Sequence, residues 1–172
     1  MRHYEFHKRL RTVYDKALDL YNRGEREAGR FFDSGEVEFL ESIGASPGEI
    51  YDFAEDSVTD GEPDWETVLL LQSLRRDFFL QVQGGRPSPN RLREPDFPAR
   101  EDEAEGVAWL PRLIQKARAK LRGELPADLM YCCGGDRKFF RAHDIHPAEF
   151  LRLTWAHLED KRAIVRWVLE RG

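Results

Sequence analysis

Two stretches of this chain, 100 residues apart, read as one piece of structure used twice. They are GEVEFLESIGASPGE at residues 35–49 and GDRKFFRAHDIHPAE at residues 135–149. Gly35/Gly135, Phe39/Phe139, Pro47/Pro147 and Glu49/Glu149 are identical without a gap, and Leu40/Phe140, Glu36/Asp136 and Ile50/Phe150 keep their character. Each copy has the chemistry of a short helix, a turn and the start of a second helix. Ser46-Pro47-Gly48-Glu49 supplies the N-cap serine, first-turn proline and third-position glutamate of a capping box. His146-Pro147-Ala148-Glu149 has the same form with a weaker cap.

The flanks extend the pattern. A longer amphipathic run precedes each copy, with Arg9-Leu10 and Leu18 matched to Arg112-Leu113 and Leu121. A further helical run follows each, near residues 65–82 and 163–169. Such a chain folds as an all-α helical bundle, with two related helical units in tandem. The competing account is two unrelated helix–turn–helix segments that share common capping chemistry.

Helical spacing is clear along most of the chain. Phe6, Leu10, Val13, Ala17, Leu20 and Tyr21 line a first helix over residues 4–23, with Lys8, Arg11 and Lys16 on its free face. A short run over 36–43 stops at Gly44. A helix starting at Pro47 buries Ile50, Phe53 and Ala54. Pro63 is expected to open the next helix, which is apolar nearly all round and belongs at the centre of a bundle. Its Arg75 and Arg76 are expected to face solvent or pair locally. Residues 84–106 hold Pro87, Pro89, Pro95 and Pro98 and an acidic run, so they read as an extended linker. The expected division is therefore 1–84, a helical unit; 85–106, a Pro-rich linker; and 107–172, a second helical unit. In the second, Leu110, Leu113, Ile114, Ala117 and Leu121 form an apolar stripe, and Arg112, Lys116, Arg118, Lys120 and Arg122 crowd the remaining face. Asp136 is expected to cap a short helix through Arg141. Ala163, Ile164, Trp167 and Val168 form the buried face of the last helix. Almost no alternating strand pattern occurs.

The segment LPRLIQKAR, Leu110 to Arg118, resembles the helix start of the uncharacterised bacterial family numbered 5069 among the domains of unknown function. Tyr131, Cys133, Asp136 and Phe139 resemble that family's aromatic-x-Cys-x-x-Asp-x-x-Phe stretch, and Trp167 its closing-helix tryptophan. The resemblance covers about residues 90–170. Gly134-Gly135 departs from the proline and aliphatic residue expected there. What the resemblance implies is a small helical bacterial protein, with no activity to carry over.

Charge and cysteine usage narrow the setting. The net charge is −5. Residues 1–84 hold 10 Lys/Arg against 18 Asp/Glu, and residues 85–172 hold 17 against 14, giving −8 and +3. Opposite charges on the two halves can satisfy each other, and the acidic total argues against a general nucleic-acid binder. No apolar run reaches the ~20 residues of a membrane span, and the charged N-terminus has no apolar signal core. Two adjacent cysteines do not make a disulfide framework. These features lead to the expectation of a cytoplasmic protein.

Two candidate sites compete with a purely structural account. Cys133 with His143 and His146 offers thiolate and imidazole, the donors zinc favours. Against it, the spacing lacks a Cys-x-x-Cys pair, and the matching positions Ile43 and Ser46 are not ligands. Cys133, beside a helix start, is also the candidate for a redox-sensitive thiol; otherwise the cysteines pack as small hydrophobes. The second candidate is the basic helix, whose Arg112, Lys116 and Lys120 would contact nucleic-acid phosphates from a free face. The leading expectation is a non-enzymatic interaction or structural protein, partnered by another protein or by itself. A thiol- or metal-dependent enzyme or sensor at Cys133, His143 and His146 is the alternative, and nucleic-acid binding through residues 112–122 a further one.

Overall fold

A computed structural model describes residues 3–171 as a predominantly helical chain. Two compact units divide between Arg86 and Pro87. The first, unit 1, contains α1 (Phe6–Asn22), α2 (Ser34–Ser42), α3 (Pro47–Asp60) and α4 (Trp65–Gln81). The second, unit 2, contains α5 (Leu110–Arg122), α6 (Gly134–Ala142), α7 (Pro147–Ala156) and α8 (Lys161–Leu169), preceded by the short strands β1 (Glu103–Ala104) and β2 (Val107–Ala108). No helix among the described residues is long and apolar enough to cross a membrane.

The two units repeat one helical plan. Each packs its first helix against its third, α1 on α3 and α5 on α7. The buried stripe Leu10, Val13, Tyr14, Ala17 and Tyr21 recurs as Leu110, Leu113, Ile114, Ala117 and Leu121. The offset of 100 therefore runs through the first helices as well. The match of Arg9-Leu10 to Arg112-Leu113 is three residues out of register: it follows a similar residue pair rather than the periodicity of the buried face. Across the facing helices, Ile50 and Phe150 are both fully buried.

The helix–turn–helix copies are alike bond by bond. α2 and α6 end on Ile43 and His143, and the next residues, Gly44 and Asp144, take left-handed φ values of 71° and 50°. Ala45 N then donates to Leu40 O at 2.9 Å, and Ile145 N to Phe140 O at 3.0 Å. Each turn thereby uses a carbonyl that the helix end leaves open. Gly44 is required twice over, since a Cβ there would lie 2.6 Å from the Phe79 ring. Ser46 and His146 then cap α3 and α7, accepting from Glu49 N at 3.2 Å and Ala148 N at 3.1 Å. Ser46 makes its half of the expected capping box, but the Glu49 side chain turns to Gln72. A complete box forms at α2 instead, between Asp33 and Glu36.

Other expectations are corrected locally. Pro63 stands before α4, and Asp64 is its N-cap, accepting from Thr67 N at 2.8 Å. α4 is not enclosed all round: Leu70 is 41% exposed. Arg75 is buried, donating to Gln83 Oε1 with its guanidinium over the Phe79 ring. Trp167 is half-buried and carries the Arg171 guanidinium on its ring, while Ile164 and Val168 form the core face of α8.

The stretch expected as a linker, 85–106, mostly belongs to unit 2. Ser88 and Asn90 donate to the Glu124 carboxylate, and Leu92 N to Glu124 O. Phe97 is buried. Prolines keep this stretch of chain irregular, and its polar groups bond both locally, as Asn90 N does to Ser88 and Arg93 N to Asp96, and to Arg112 of α5 and Glu124 just beyond it. The strands β1 and β2 pair around Glu105 and Gly106, both at positive φ, as a two-residue hairpin demands.

Candidate functional site

The densest cluster of buried polar groups lies in unit 2, where α5 meets the start of α6. α6 has Cys133 at its N-cap and Asp136 as the third helical residue. Asp136 is therefore not the cap itself. Its fully buried carboxylate accepts from Trp109 Nε1 at 3.0 Å, Lys116 Nζ at 2.5 Å and Cys132 N at 2.9 Å. A carboxylate taken out of water needs this set of donors, and the positive end of the helix adds to them. Lys116 is 2% exposed and also donates to Cys133 Sγ at 3.2 Å. Arg137, buried beside it, donates to Cys132 O at 2.9 Å.

Backbone geometry holds the cluster in place. Trp109 and Cys132 are both left-handed, at φ 71°, a region that costs non-glycine residues of order 1 kcal/mol or more and persists only where surroundings enforce it. From that conformation the Cys132 amide meets Asp136, while the Trp109 indole lies against Gly135. A Cβ on Gly135 would stand 2.7 Å from the indole ring. The Gly134-Gly135 pair is thus explained at its second member, which leaves room for the tryptophan.

Burial and the Asp136 charge push the Cys132 thiol up to about 12, so it stays protonated and inert. Burial likewise raises the Tyr131 hydroxyl well above its ordinary range, and that hydroxyl donates to Pro147 O. Cys133 is the half-exposed member of the cysteine pair.

The sequence-based candidates fare differently. His143 Nδ1–H donates to Phe139 O at 3.0 Å, with its ring stacked on Phe139, and His146 serves as the α7 cap. Each histidine is thus committed to its own helix terminus, away from Cys133. Among the described residues no group of three or more His, Cys, Asp or Glu is placed to hold a metal ion. Arg112, Lys116 and Lys120 do not occupy a free face. They are 4%, 2% and 2% exposed, one turn apart on the covered side of α5. Arg112 donates to Pro98 O and Glu94 with Phe97 beneath it. Their periodicity is real, but the 94–98 stretch meets Arg112 and the start of α6 meets Lys116, and sequence periodicity does not register such covers.

Helical spacing and capping chemistry leave Trp109 and Arg137 out of the cluster and give Asp136 only a capping role. One signal points further: at the offset of 100, Lys16 matches Lys116 and Glu36 matches Asp136, so acid and base are kept together. The unit 1 pair is also made, Lys16 Nζ to Glu36 Oε2 at 2.6 Å. Both stretches that carry the family resemblance, Leu110 to Arg118 and Tyr131 to Phe139, meet at the Lys116–Asp136 bridge.

Residues 98–172 match the family model DUF5069, a domain of unknown function. The DUF5069 match takes in α5 to α8 and every side chain of the Asp136 cluster, and it leaves unit 1 outside. No curated protein and no solved structure matches the chain.

Proposed function

We propose that this chain is a non-enzymatic helical protein of the bacterial cytoplasm, acting by association with another protein or with a second copy of itself. The observation that carries this is closure of the Asp136 cluster. Every contact of that carboxylate is internal, and Lys116 is almost wholly buried. A catalytic acid or base needs an open side toward its substrate. The same lysine–acid bridge in unit 1, where no cysteine accompanies it, supports a role in holding helices. Adjacent free thiols suit a reducing compartment.

Cys133 supports a second reading. Its half-exposed sulfur lies 3.2 Å from the Lys116 ammonium, so a thiol-based sensor or enzyme would be centred there. Metal analysis and thiol titration of the native protein separate the two. The first reading expects no stoichiometric metal, Cys132 unreactive until unfolding, and light scattering or crosslinking that finds a self-associated or partnered species. Activity or stoichiometric metal that disappears in Cys133→Ser would move the assignment to the thiol centre.

A further inference from the structure

Cys133 holds the N-cap position of α6, yet its side chain makes no capping bond. At the matching position of unit 1, Asp33 caps α2 by accepting from Glu36 N at 2.9 Å. The two lysines differ in step with the caps. Lys16 meets Glu36, whereas Lys116 holds Asp136 at 2.5 Å and also donates to Cys133 Sγ at 3.2 Å. Where unit 1 has a capping carboxylate, unit 2 has a thiol turned toward the lysine of its first helix.

Sulfur and amine are held together, and only the sulfur is open. Cys133 is half-exposed, and Gly134 beside it is exposed and carries no side chain, so a small oxidant can reach the thiol. Lys116 is 2% exposed and anchored by Asp136, so its amine does not swing away as a surface lysine would. Cys132 is no rival partner for the sulfur. It is fully buried, with its amide bound to Asp136 and its carbonyl to Arg137.

We propose that Lys116 and Cys133 are the two ends of a covalent bridge, Nζ–O–Sγ, which peroxide forms between α5 and the start of α6. This deepens the thiol reading of Cys133 and rests on it, and it needs neither substrate nor turnover. In the first step the sulfur attacks one peroxide oxygen and the O–O bond breaks, giving a sulfenic acid and water. In the second, the lysine nitrogen bonds to the sulfenic oxygen while another peroxide takes two electrons and becomes two waters. Asp136, already bonded to that nitrogen, accepts one of its protons. Thiol and amine are each oxidised by two electrons, and two peroxides yield one bridging oxygen and three waters. The separation favours this form. One interposed oxygen spans 3.2 Å with little movement, whereas a direct sulfur–nitrogen bond would draw the lysine off Asp136. The bridge abolishes the Lys116 charge, so oxidation ends the buried ion pair of unit 2 while tying two of its helices together.

Mass spectrometry of the full chain tests this after graded hydrogen peroxide, thiol alkylation in denaturant and tryptic digestion without reductant. Trypsin does not cut at a modified lysine, so Leu113–Arg118 should appear joined to Gly123–Arg137. The joined species should exceed the sum of the two peptides by one oxygen less two hydrogens, with Cys132 alkylated. It should rise with peroxide dose, come apart in dithiothreitol and fall below detection in Cys133→Ser. Lys116→Arg keeps a counter-charge for Asp136 and should also lose it. Circular dichroism identifies any variant that fails to fold; fragment masses placing the wild-type link on Lys116 and Cys133 then decide the matter alone. Cys133 oxidised to the sulfinic acid, or joined to Cys132, with Lys116 cut as usual, overturns the bridge and leaves the thiol reading standing. A link that lacks the oxygen overturns the bridge as well. Cys133 fully alkylated at every peroxide dose overturns both the bridge and the thiol reading.

Discussion

The chain builds one lysine–carboxylate bridge twice, in two settings. In unit 1, Lys16 meets Glu36 with the side chains 39% and 18% exposed. In unit 2, Lys116 meets Asp136 at 2% and 0%. In both, the acid is the third residue of the second helix and also accepts a backbone N–H from just before that helix: Asp33 N for Glu36, Cys132 N for Asp136. The bridge is therefore an extension of helix capping that reaches to the first helix. Exposure decides what it is worth. A solvated pair is screened and gains little. A buried pair has lost its hydration, so each partner depends on the other and on the remaining donors. Trp109 is such a donor in unit 2; its counterpart in unit 1, Arg9, bonds Gly35 O instead.

The comparison is broken most severely at Lys116. Lys116→Met leaves the Asp136 carboxylate buried without its counter-charge, and urea unfolding should show a loss of about 3–5 kcal/mol. The double variant Lys116→Met with Asp136→Leu should recover part of this. It should not recover all, because Trp109 Nε1 and Cys132 N would lose their acceptor. A loss near zero in the single variant would mean that the pair is not buried in solution. Gly135→Ala comes next. Its Cβ meets the Trp109 ring at 2.7 Å, so overpacking should cost about 1–3 kcal/mol. At Gly35 the nearest atom to such a Cβ is Asp33 Oδ1 at 3.4 Å, so Gly35→Ala should be much milder. Equal losses at the two glycines would remove the indole packing from the account.

Ser46→Ala tests a feature that both units share, and should cost about 1 kcal/mol in the same assay. An unchanged midpoint would mean that the Ser46–Glu49 bond contributes nothing in solution. This cap is legible in the amino-acid sequence, as are the turn at Gly44 and the helices on either side, because helix ends are written in local chemistry. The covered face of α5 is not. Arg112, Lys116 and Lys120 have the composition of a solvated stripe, yet all three are buried: the Pro-rich segment from earlier in the chain meets Arg112, and the start of α6 from later in it meets Lys116. The Asp136 cluster is half legible. The repeat and the family resemblance single out its residues, but the partnership of Lys116 with Asp136 joins two elements 20 residues apart. Only pairing Lys16 with Glu36 and Lys116 with Asp136 at one offset makes it visible in the sequence.

The smallest effect is the sharpest control. Lys16→Ala removes the same bridge from unit 1, yet Glu36 keeps its bond to Asp33 N and its access to water. The loss should stay below about 1 kcal/mol and shrink further with added salt, since exposed charges are screened within ~10 Å at 0.1 M ionic strength. Lys116→Met should be far less sensitive to salt, because no counter-ion reaches Asp136 in the native state. If Lys16→Ala proved as costly as Lys116→Met, exposure would not be what separates the two bridges. The lysine would then act in both units mainly by packing its stem between the first and second helices.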